Sequence, residues 1–249
     1  MVILELYNNN LSGSISPSLG DATQLTTLNI FNNAFTGSLP SSIGLLSLLL
    51  TLDASRNLLS ESIPISLQNC HSLQTINLQE NDFSGHIPDI FATVTNMSVI
   101  DLSYNRLTGP IPSSLGVLHF LSSVNLAHNH LSGEVPSSLS NLKYMLRSFD
   151  VSYNDLSGSL PFELGGAFME QSFEGNMDLC ISNLKHCSGT KGGPQVGWIS
   201  GTMGVIVVVL VTGLYCFYKQ KKEYQRMKEH STTLLHATWI FTPFEKVSF

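Results

Sequence analysis

The fold of this chain is decided by a segment that recurs along it, and its clearest copy is IDLSYNRLTGPIP at residues 100–112. The asparagine of this copy recurs with a 24-residue period, lengthened by one before the last copy, as Asn9, Asn33, Asn57, Asn81, Asn105, Asn129 and Asn154. A regular period of this length is typical of a solenoid, in which each repeat packs only on its neighbours. Apolar and variable residues alternate before each asparagine, which predicts a short strand with one buried face.

The recurring asparagines and glycines have structural interpretations. An asparagine amide both donates and accepts hydrogen bonds, so stacked copies are predicted to form a ladder that binds backbone groups of adjacent coils. An unpaired amide in that interior would cost about 1–3 kcal/mol. Glycine follows most of the asparagines four residues later and suits a turn with positive φ. Glu61 replaces it in the third repeat, so we expect an altered turn there.

The repeat pattern LxxLxLxxNxLSGxIPxxLG resembles the plant-specific class of leucine-rich repeats. The resemblance covers residues 1–161 and implies an α/β-type leucine-rich repeat solenoid of seven 24-residue repeats. In that family the solenoid is a right-handed horseshoe with a parallel sheet on its concave face. Residues 162–190 resemble the C-terminal cap of plant repeat receptors, and the resemblance implies a disulfide between Cys180 and Cys187. A cap covers the apolar cross-section at the end of a solenoid, and an oxidising compartment outside the cell permits the bond.

An uncharged segment, residues 198–218, follows the cap. At about 1.5 Å per residue it would form about 30 Å of helix, so we expect one transmembrane α-helix there. Residues 191–197 would then be an outer juxtamembrane linker, and residues 219–249 a cytosolic juxtamembrane tail.

The charge distribution predicts the orientation of this span. The tail holds 6 Lys/Arg against 3 Asp/Glu, whereas residues 1–197 hold 6 against 15. Positive charge stays in the cytosol, so we expect a single-pass type I protein of the plasma membrane with extracellular repeats. A basic stretch beside the membrane favours anionic lipid and is a poor argument for nucleic acid. Gly197 and Gly201 form a GxxxG motif, a spacing that lets two spans pair as a homo- or heterodimer.

Modification sites and free thiols follow from the same topology. Sequons at Asn10 and Asn96 are predicted glycosylation sites on an exported chain. Cys70 lies between predicted strands and is expected to be a buried free thiol.

Recognition is the chemistry that the sequence favours. It contains no phosphate-binding glycine loop and no kinase-type catalytic triplet, so we expect neither enzymatic activity nor a cofactor. His128 and His130 lack further evident ligands for a metal site. The variable strand positions are expected to project from the concave sheet, where aromatic and arginine side chains most often anchor interfaces. The candidate ligand-binding residues are Tyr7, Phe31, Asn32, Arg56, Gln79, Glu80, Tyr104 and Tyr153.

The resemblance implies the outer and membrane part of a leucine-rich repeat receptor-like kinase, truncated before its kinase domain. Its partner would be an extracellular peptide, a hormone or a co-receptor ectodomain. The N-terminus has no signal peptide, which indicates that the native polypeptide starts earlier. One alternative is a complete receptor-like protein with a short tail that signals through a partner kinase. Another is a structural or inhibitory wall protein, against which the predicted span argues.

Overall fold

A computed structural model describes residues 2–181, which lie in one compact unit, Met1–Gly189. Its strands, in chain order, are β1 Val2–Glu5, β2 Ser12–Ser14, β3 Leu25–Asn29, β4 Ala34–Gly37, β5 Thr51–Asp53, β6 Leu58–Ser62, β7 Thr75–Asn77, β8 Asp82–His86, β9 Val99–Asp101, β10 Arg106–Gly109, β11 Ser123–Asn125, β12 His130–Gly133, β13 Ser148–Asp150, β14 Asp155–Ser159 and β15 Asp178–Cys180. Short 3₁₀ helices cover Pro17–Asp21, Ser41–Leu45, Ile65–Asn69, Ser113–Val117, Ser137–Leu142 and Glu170–Phe173, and α1 covers Phe162–Gly165.

The odd-numbered strands from β1 to β13 form the first sheet, with seven parallel strands in chain order. Equivalent apolar residues pair across it, as Leu28 pairs with Leu52 and Val124 with Phe149. Their side chains are buried, whereas the residues beside them are partly accessible. The predicted solenoid of seven repeats with parallel strands is therefore confirmed.

A second parallel sheet has the strand order β15-β14-β12-β10-β8-β6-β4-β2. Each of its strands begins shortly after an asparagine. The glycine of this segment predicts a turn with positive φ, and the sequence does not predict the strand that contains it. The five strands β6, β8, β10, β12 and β14 each contribute one buried apolar side chain, namely Leu59, Phe83, Leu107, Leu131 and Leu156. A single apolar residue is too weak a signal for a strand, and stacking on the neighbouring coils supplies the hydrogen bonds that the isolated segment lacks.

The asparagine ladder forms as predicted. Asn105 Nδ2 donates to the carbonyls of Leu102 and Ser103 in its own turn and of Leu78 in the preceding coil, at 3.0–3.1 Å. Its Oδ1 accepts the N–H of Phe83, also in the preceding coil, at 3.0 Å. From Asn33 onward each amide thus joins two coils and satisfies backbone groups at the junction between the two sheets.

The ladder has an eighth member that the repeat pattern does not identify. Asn176, in the segment after the repeats, is buried and donates to the carbonyl of Val151 at 3.0 Å. Its Oδ1 accepts the N–H of Leu156 at 3.1 Å. Asn176 follows Asn154 by less than a full period and lies outside the apolar–variable–apolar pattern, so the sequence gives no signal for its role.

The third repeat keeps the backbone of the others although it lacks the glycine. Glu61 has φ +67°, and the equivalent Gly37 and Gly85 both have φ +75°. The expectation of an altered turn is therefore wrong. Pairing of β6 with its neighbours on both sides holds the left-handed conformation in spite of the side chain.

Residues 162–181 form the described part of the predicted cap. Phe173 is buried beside Phe149, with ring centroids 6.0 Å apart, and β15 extends the second sheet. Cys180 is disulfide-bonded, but its predicted partner Cys187 lies outside the described residues, so that pairing stays a prediction. Cys70 is buried and free, and burial raises the pKa of its thiol to about 11.

None of the helices within residues 2–181 is both long and apolar enough to cross a membrane. The predicted linker at 191–197, span at 198–218 and tail at 219–249 lie outside the described residues.

Candidate ligand-binding face of the first sheet

A column of left-handed residues runs along the edge of the first sheet. The residue before each repeat asparagine has φ between +51° and +55°. We call this set the left-handed column; it consists of Asn8, Asn32, Arg56, Glu80, Tyr104, His128 and Tyr153. All its side chains are exposed except that of His128, which is half-buried. They contribute little to the core and are free to contact another molecule.

The repeat itself imposes this backbone conformation. The N–H of Arg56 donates to the carbonyl of Gln79 in the next coil at 2.8 Å, and Tyr104 repeats the bond with Ala127 at 2.9 Å. A left-handed residue with a side chain costs about 1–2 kcal/mol relative to the right-handed region. The ladder amide that follows offsets this cost by binding the turn. The column contains no β-branched residue, the type least tolerant of positive φ.

Four predicted candidates meet at the N-terminal half of the face. Arg56 Nε lies 3.2 Å from Glu80 Oε1, and Gln79 Nε2 donates to the same oxygen at 3.1 Å. The guanidinium carbon of Arg56 lies 5.7 Å from the ring centroid of Phe31. We call Phe31, Arg56, Gln79 and Glu80 the charged cluster. An exposed ion pair of this kind contributes at most about 1 kcal/mol, so its members can exchange partners with a ligand.

Asn32 and Tyr7 lie at the N-terminal end of the same face. Asn32 Nδ2 donates to Asn8 Oδ1 at 2.9 Å. Tyr7 is exposed at the position equivalent to Phe31, one coil away.

Three rings stack at the C-terminal half. The centroid of His128 lies 4.2 Å from that of Tyr104 and 4.4 Å from that of Tyr153, with interplanar angles of 15° and 11°. We call these three residues the aromatic stack. A Cβ atom added to Gly175 would lie 2.7 Å from Cδ1 of Tyr153, so the stack ends directly on the backbone of the cap.

His128 was not among the predicted ligand residues. Its position is one of the variable strand positions expected to project from the sheet, and beside His130 it lacks further evident ligands for a metal site. The structure separates the two, because His130 belongs to β12 in the second sheet and lies 3.8 Å from Asp155. Within residues 2–181 no cluster of three or more metal-ligating side chains occurs. Burial lowers the pKa of His128, and Asp150 partly opposes this shift.

Several strand positions that were expected to project are instead structural. Ser55, Ser103, Ala127 and Ser152 are buried. The residues two positions earlier in each strand are half-buried and accept the backbone N–H two residues later; they are Asn29, Asp53, Asn77, Asp101, Asn125 and Asp150. Short polar side chains at this position close a local turn, which occupies the oxygen that a ligand would need.

The two sequon asparagines are both exposed. Asn96 Nδ2 donates to the carbonyl of His71 in the preceding coil at 3.3 Å. Glycosylation at Asn10 and Asn96 stays a prediction.

The family model described as Leucine Rich Repeat matches seven segments of the chain, residues 1–22, 24–46, 48–70, 72–94, 96–118, 120–142 and 145–167. None of the curated proteins searched matches the chain.

Solved ectodomains of plant receptor kinases share this architecture. The GASSHO1/SCHENGEN3 ectodomain from Arabidopsis thaliana, in complex with CASPARIAN STRIP INTEGRITY FACTOR 2, is 35% identical with a TM-score of 0.71, over 74% of this chain and 22% of that one. The Arabidopsis receptor kinase HAESA, in complex with the peptide hormone IDA and the co-receptor SERK1, is 35% identical with a TM-score of 0.70. The match covers 76% of this chain and 30% of that one. The plant peptide hormone receptor RGFR1, in complex with RGF2, is 32% identical with a TM-score of 0.65, over 70% of this chain and 28% of that one. This chain thus matches less than a third of the length of each of these solved relatives.

Proposed function

Because this chain belongs to the leucine-rich repeat family, and is a plant receptor-like protein of that family, we propose that it binds an extended extracellular ligand along the left-handed column. The ligand would be a peptide, a hormone or a segment of a co-receptor ectodomain. The first sheet would line the concave side of a right-handed horseshoe, so that the column faces the ligand.

The observation that carries this proposal is the arrangement of the column itself. Adjacent strands in a sheet lie about 4.8 Å apart, so seven coils extend the column over roughly 29 Å. An extended peptide of about nine residues spans the same length at about 3.3 Å per residue. The charged cluster would contact one end of such a peptide and the aromatic stack the other.

The two halves offer different chemistry to a ligand. Arg56 and Glu80 present opposite charges beside the ring of Phe31, whereas Tyr104 and Tyr153 present ring edges and hydroxyl groups. Exposed tyrosine and arginine side chains are the residues most enriched among interface hot spots. A ligand with both polar and apolar side chains would therefore be fixed in one direction along the face.

The solved relatives support this class of ligand. The structures of HAESA and RGFR1 contain peptide hormones, and that of HAESA also contains a co-receptor. Their similarity to this chain extends over most of its repeats, which is why we assign the same class of partner.

The proposal includes a membrane topology. Residues 198–218 would cross the plasma membrane once, with the repeats and their two glycans outside and residues 219–249 in the cytosol. Ligand binding would pair two such chains or recruit a co-receptor. The given chain would not phosphorylate substrates itself. The signal would pass through a kinase domain of the parent polypeptide or, alternatively, through the kinase of a partner.

The binding proposal is tested by titrating the full chain in neutral detergent. The ligands are IDA, CASPARIAN STRIP INTEGRITY FACTOR 2, RGF2 and a fractionated pool of secreted plant peptides. For a peptide that binds, Arg56→Ala and Tyr104→Ala should each raise the Kd of the complex between the chain and that peptide about tenfold or more, as expected for hot-spot residues.

Arg106→Ala is the matched control. Arg106 pairs with Asp82 of the neighbouring coil at 2.8 Å, as Arg56 pairs with Glu80, but it lies on the second sheet. Equal losses in the Arg56 and Arg106 variants would contradict the assigned face, and so would a peptide whose Kd is unchanged by both Arg56→Ala and Tyr104→Ala.

A further inference from the structure

The seventh repeat contains one residue more than the others, and the structure locates it on the surface. Leu139 and Leu142 are buried like their equivalents one repeat earlier, Leu115 and Leu118. The N–H of Ser122 donates to the carbonyl of Ser98, 24 residues earlier. The equivalent bond one coil later runs from Arg147 to Ser122, which are 25 residues apart. The extra residue therefore lies within residues 143–145.

The insertion changes the local backbone. The 3₁₀ helix Ser137–Leu142 is one residue longer than its equivalent Ser113–Val117. Lys143 then has a right-handed helical conformation, whereas Leu118 at the equivalent end has ψ +82°. The N–H of Met145 donates to the carbonyl of Leu142 at 2.8 Å, as the N–H of Leu121 does to that of Leu118 one repeat earlier. The N–H of the next residue, Leu146, also donates to the carbonyl of Leu142 at 2.9 Å, so the turn is one residue longer here. Insertions in repeat proteins map to loops on one face, which is often a binding face.

The turn exposes large apolar side chains. Tyr144 is 90% exposed and Met145 42%. Phe120, 68% exposed, occupies the equivalent position in the preceding coil. We call Phe120, Lys143, Tyr144, Met145 and Arg147 the insertion patch. Packing within the solenoid does not require exposed apolar side chains at equivalent positions of two successive coils, and a grouped set of this kind marks an interaction surface.

The patch carries positive charge on an otherwise acidic unit. Residues 2–181 contain four Lys/Arg against 15 Asp/Glu. Arg56 and Arg106 form ion pairs, whereas Lys143 and Arg147 form none with any carboxylate of the described residues. Lys143 Nζ lies 4.9 Å from the ring centroid of Tyr144. Glu163 interacts electrostatically with Lys143 without forming an ion pair.

We propose that the insertion patch docks an acidic, aromatic-bearing segment of a partner protein. Lys143 and Arg147 attract and orient an acidic segment, because complementary charge steers association and fixes register. Tyr144, Phe120 and Met145 supply the apolar contact. A twofold contact with a second copy is disfavoured, because it would bring the same cations of both copies together.

This surface is separate from the ligand face. The patch precedes the strands of the first sheet, whereas the left-handed column follows them. The inference therefore does not rest on the proposed function.

The test uses a fluorescein-labelled peptide of three Glu-Glu-Tyr triplets, titrated with the full chain in neutral detergent. Fluorescence anisotropy should show saturable binding that weakens as NaCl rises from about 50 to about 300 mM. Tyr144→Ala and the double variant Lys143→Glu/Arg147→Glu should each weaken binding about tenfold or more.

Matched controls come from the rest of the chain. Leu58→Ala removes an exposed apolar side chain of the second sheet, and Arg106→Glu reverses a charge on the same sheet; each should change the Kd less than about twofold. None of the substituted side chains is buried, and an unchanged midpoint of urea unfolding verifies that each variant is folded.

Three results would overturn the proposal. The first is that the wild-type chain does not bind the peptide. The second is that Arg106→Glu weakens binding as much as the double variant, which would reflect net charge alone. The third is that mixed micelles of the same detergent with phosphatidylserine displace the peptide from the wild-type chain, whereas mixed micelles with phosphatidylcholine do not, which would make the patch a lipid-binding surface.

Discussion

The imidazole of His128 is stacked on the ring of Tyr104, with centroids 4.2 Å apart and an interplanar angle of 15°. Tyr153 covers the opposite face of the imidazole at 4.4 Å. The 24-residue repeat produces this stack directly, because equivalent positions in successive strands lie about 4.8 Å apart, which is close to the stacking distance of planar rings. A titratable side chain is therefore held inside the candidate ligand face.

We expect His128 to make the stability of the fold depend on pH. Its folded pKa lies below the unfolded value of about 6.5, so between these two values the unfolded state binds more protons. The contribution is fully present above the unfolded pKa and is lost as the pH falls from there through the folded pKa. Urea unfolding at roughly pH 8 and pH 5 should show a larger loss for the wild type than for His128→Gln.

A proton NMR titration of the His128 ring tests the cause of the shift. The pKa should lie below that of a histidine in an unfolded peptide. Asp150→Asn should lower it further, because the carboxylate raises the pKa against the effect of burial. A pKa that rises in the Asp150 variant would contradict this account.

Loss of one ladder amide should destabilise the solenoid. Asn105→Ala would leave the buried N–H of Phe83 without its acceptor and three carbonyls without their shared donor. We expect a cost of about 1–3 kcal/mol in the free energy of unfolding. Chemical denaturation measures it, with the exposed Asn69→Ala as the comparison, which should lie within about 0.5 kcal/mol of the wild type.

Replacing Glu61 with glycine should stabilise the third repeat. The residue has φ +67°, a conformation that costs a side chain about 1–2 kcal/mol and glycine almost nothing. Allowing for the greater chain entropy of unfolded glycine, we expect a net gain of roughly 0.5–1 kcal/mol. Ser62→Gly, in the same strand but without positive φ, should instead destabilise; a loss in both variants would show that Glu61 is not strained.

Gly116 should be intolerant of even a methyl group. A Cβ atom there would lie 2.5 Å from the carbonyl oxygen of Ser138 in the next coil, so the backbone must shift. We expect Gly116→Ala to lower the free energy of unfolding by about 1–3 kcal/mol. Gly166→Ala, whose Cβ would lie 3.7 Å from the carbonyl of Phe162, should be close to neutral in the same denaturation experiment.

The repeat architecture could be predicted because it follows from period and residue type. Asn105 has the same spacing, neighbours and hydrogen-bonding capacity as its counterparts, so its role in the ladder follows from the sequence. The buried first-sheet residues, such as Leu28 and Val124, follow from alternation with a period of two. The ladder and the buried face of the first sheet could be predicted because they depend only on residue spacing and on the polar or apolar character of each side chain.

The candidate face was predictable only in part, because it depends on which side chains meet across coils. Arg56 and Glu80 lie one repeat apart and were both predicted as candidates, but their contact follows only from the register of β5 and β7. His128 alone gives no signal in the sequence. Its place in the aromatic stack follows from the tyrosines at the equivalent positions of the adjacent repeats, Tyr104 and Tyr153. The extra residue near Tyr144 is visible as a lengthened last period, but only the hydrogen bond from Arg147 locates it.

The ladder makes the length of this molecule adjustable. Each asparagine amide binds only its own coil and the one before it. Duplication of any one full period would therefore introduce a turn whose polar groups already have partners. A duplication between Glu80 and Tyr104 would move the aromatic stack about 4.8 Å farther from the charged cluster while leaving both intact. Duplication or deletion of one full period would in this way match the face to longer or shorter ligands without altering the residues that contact them.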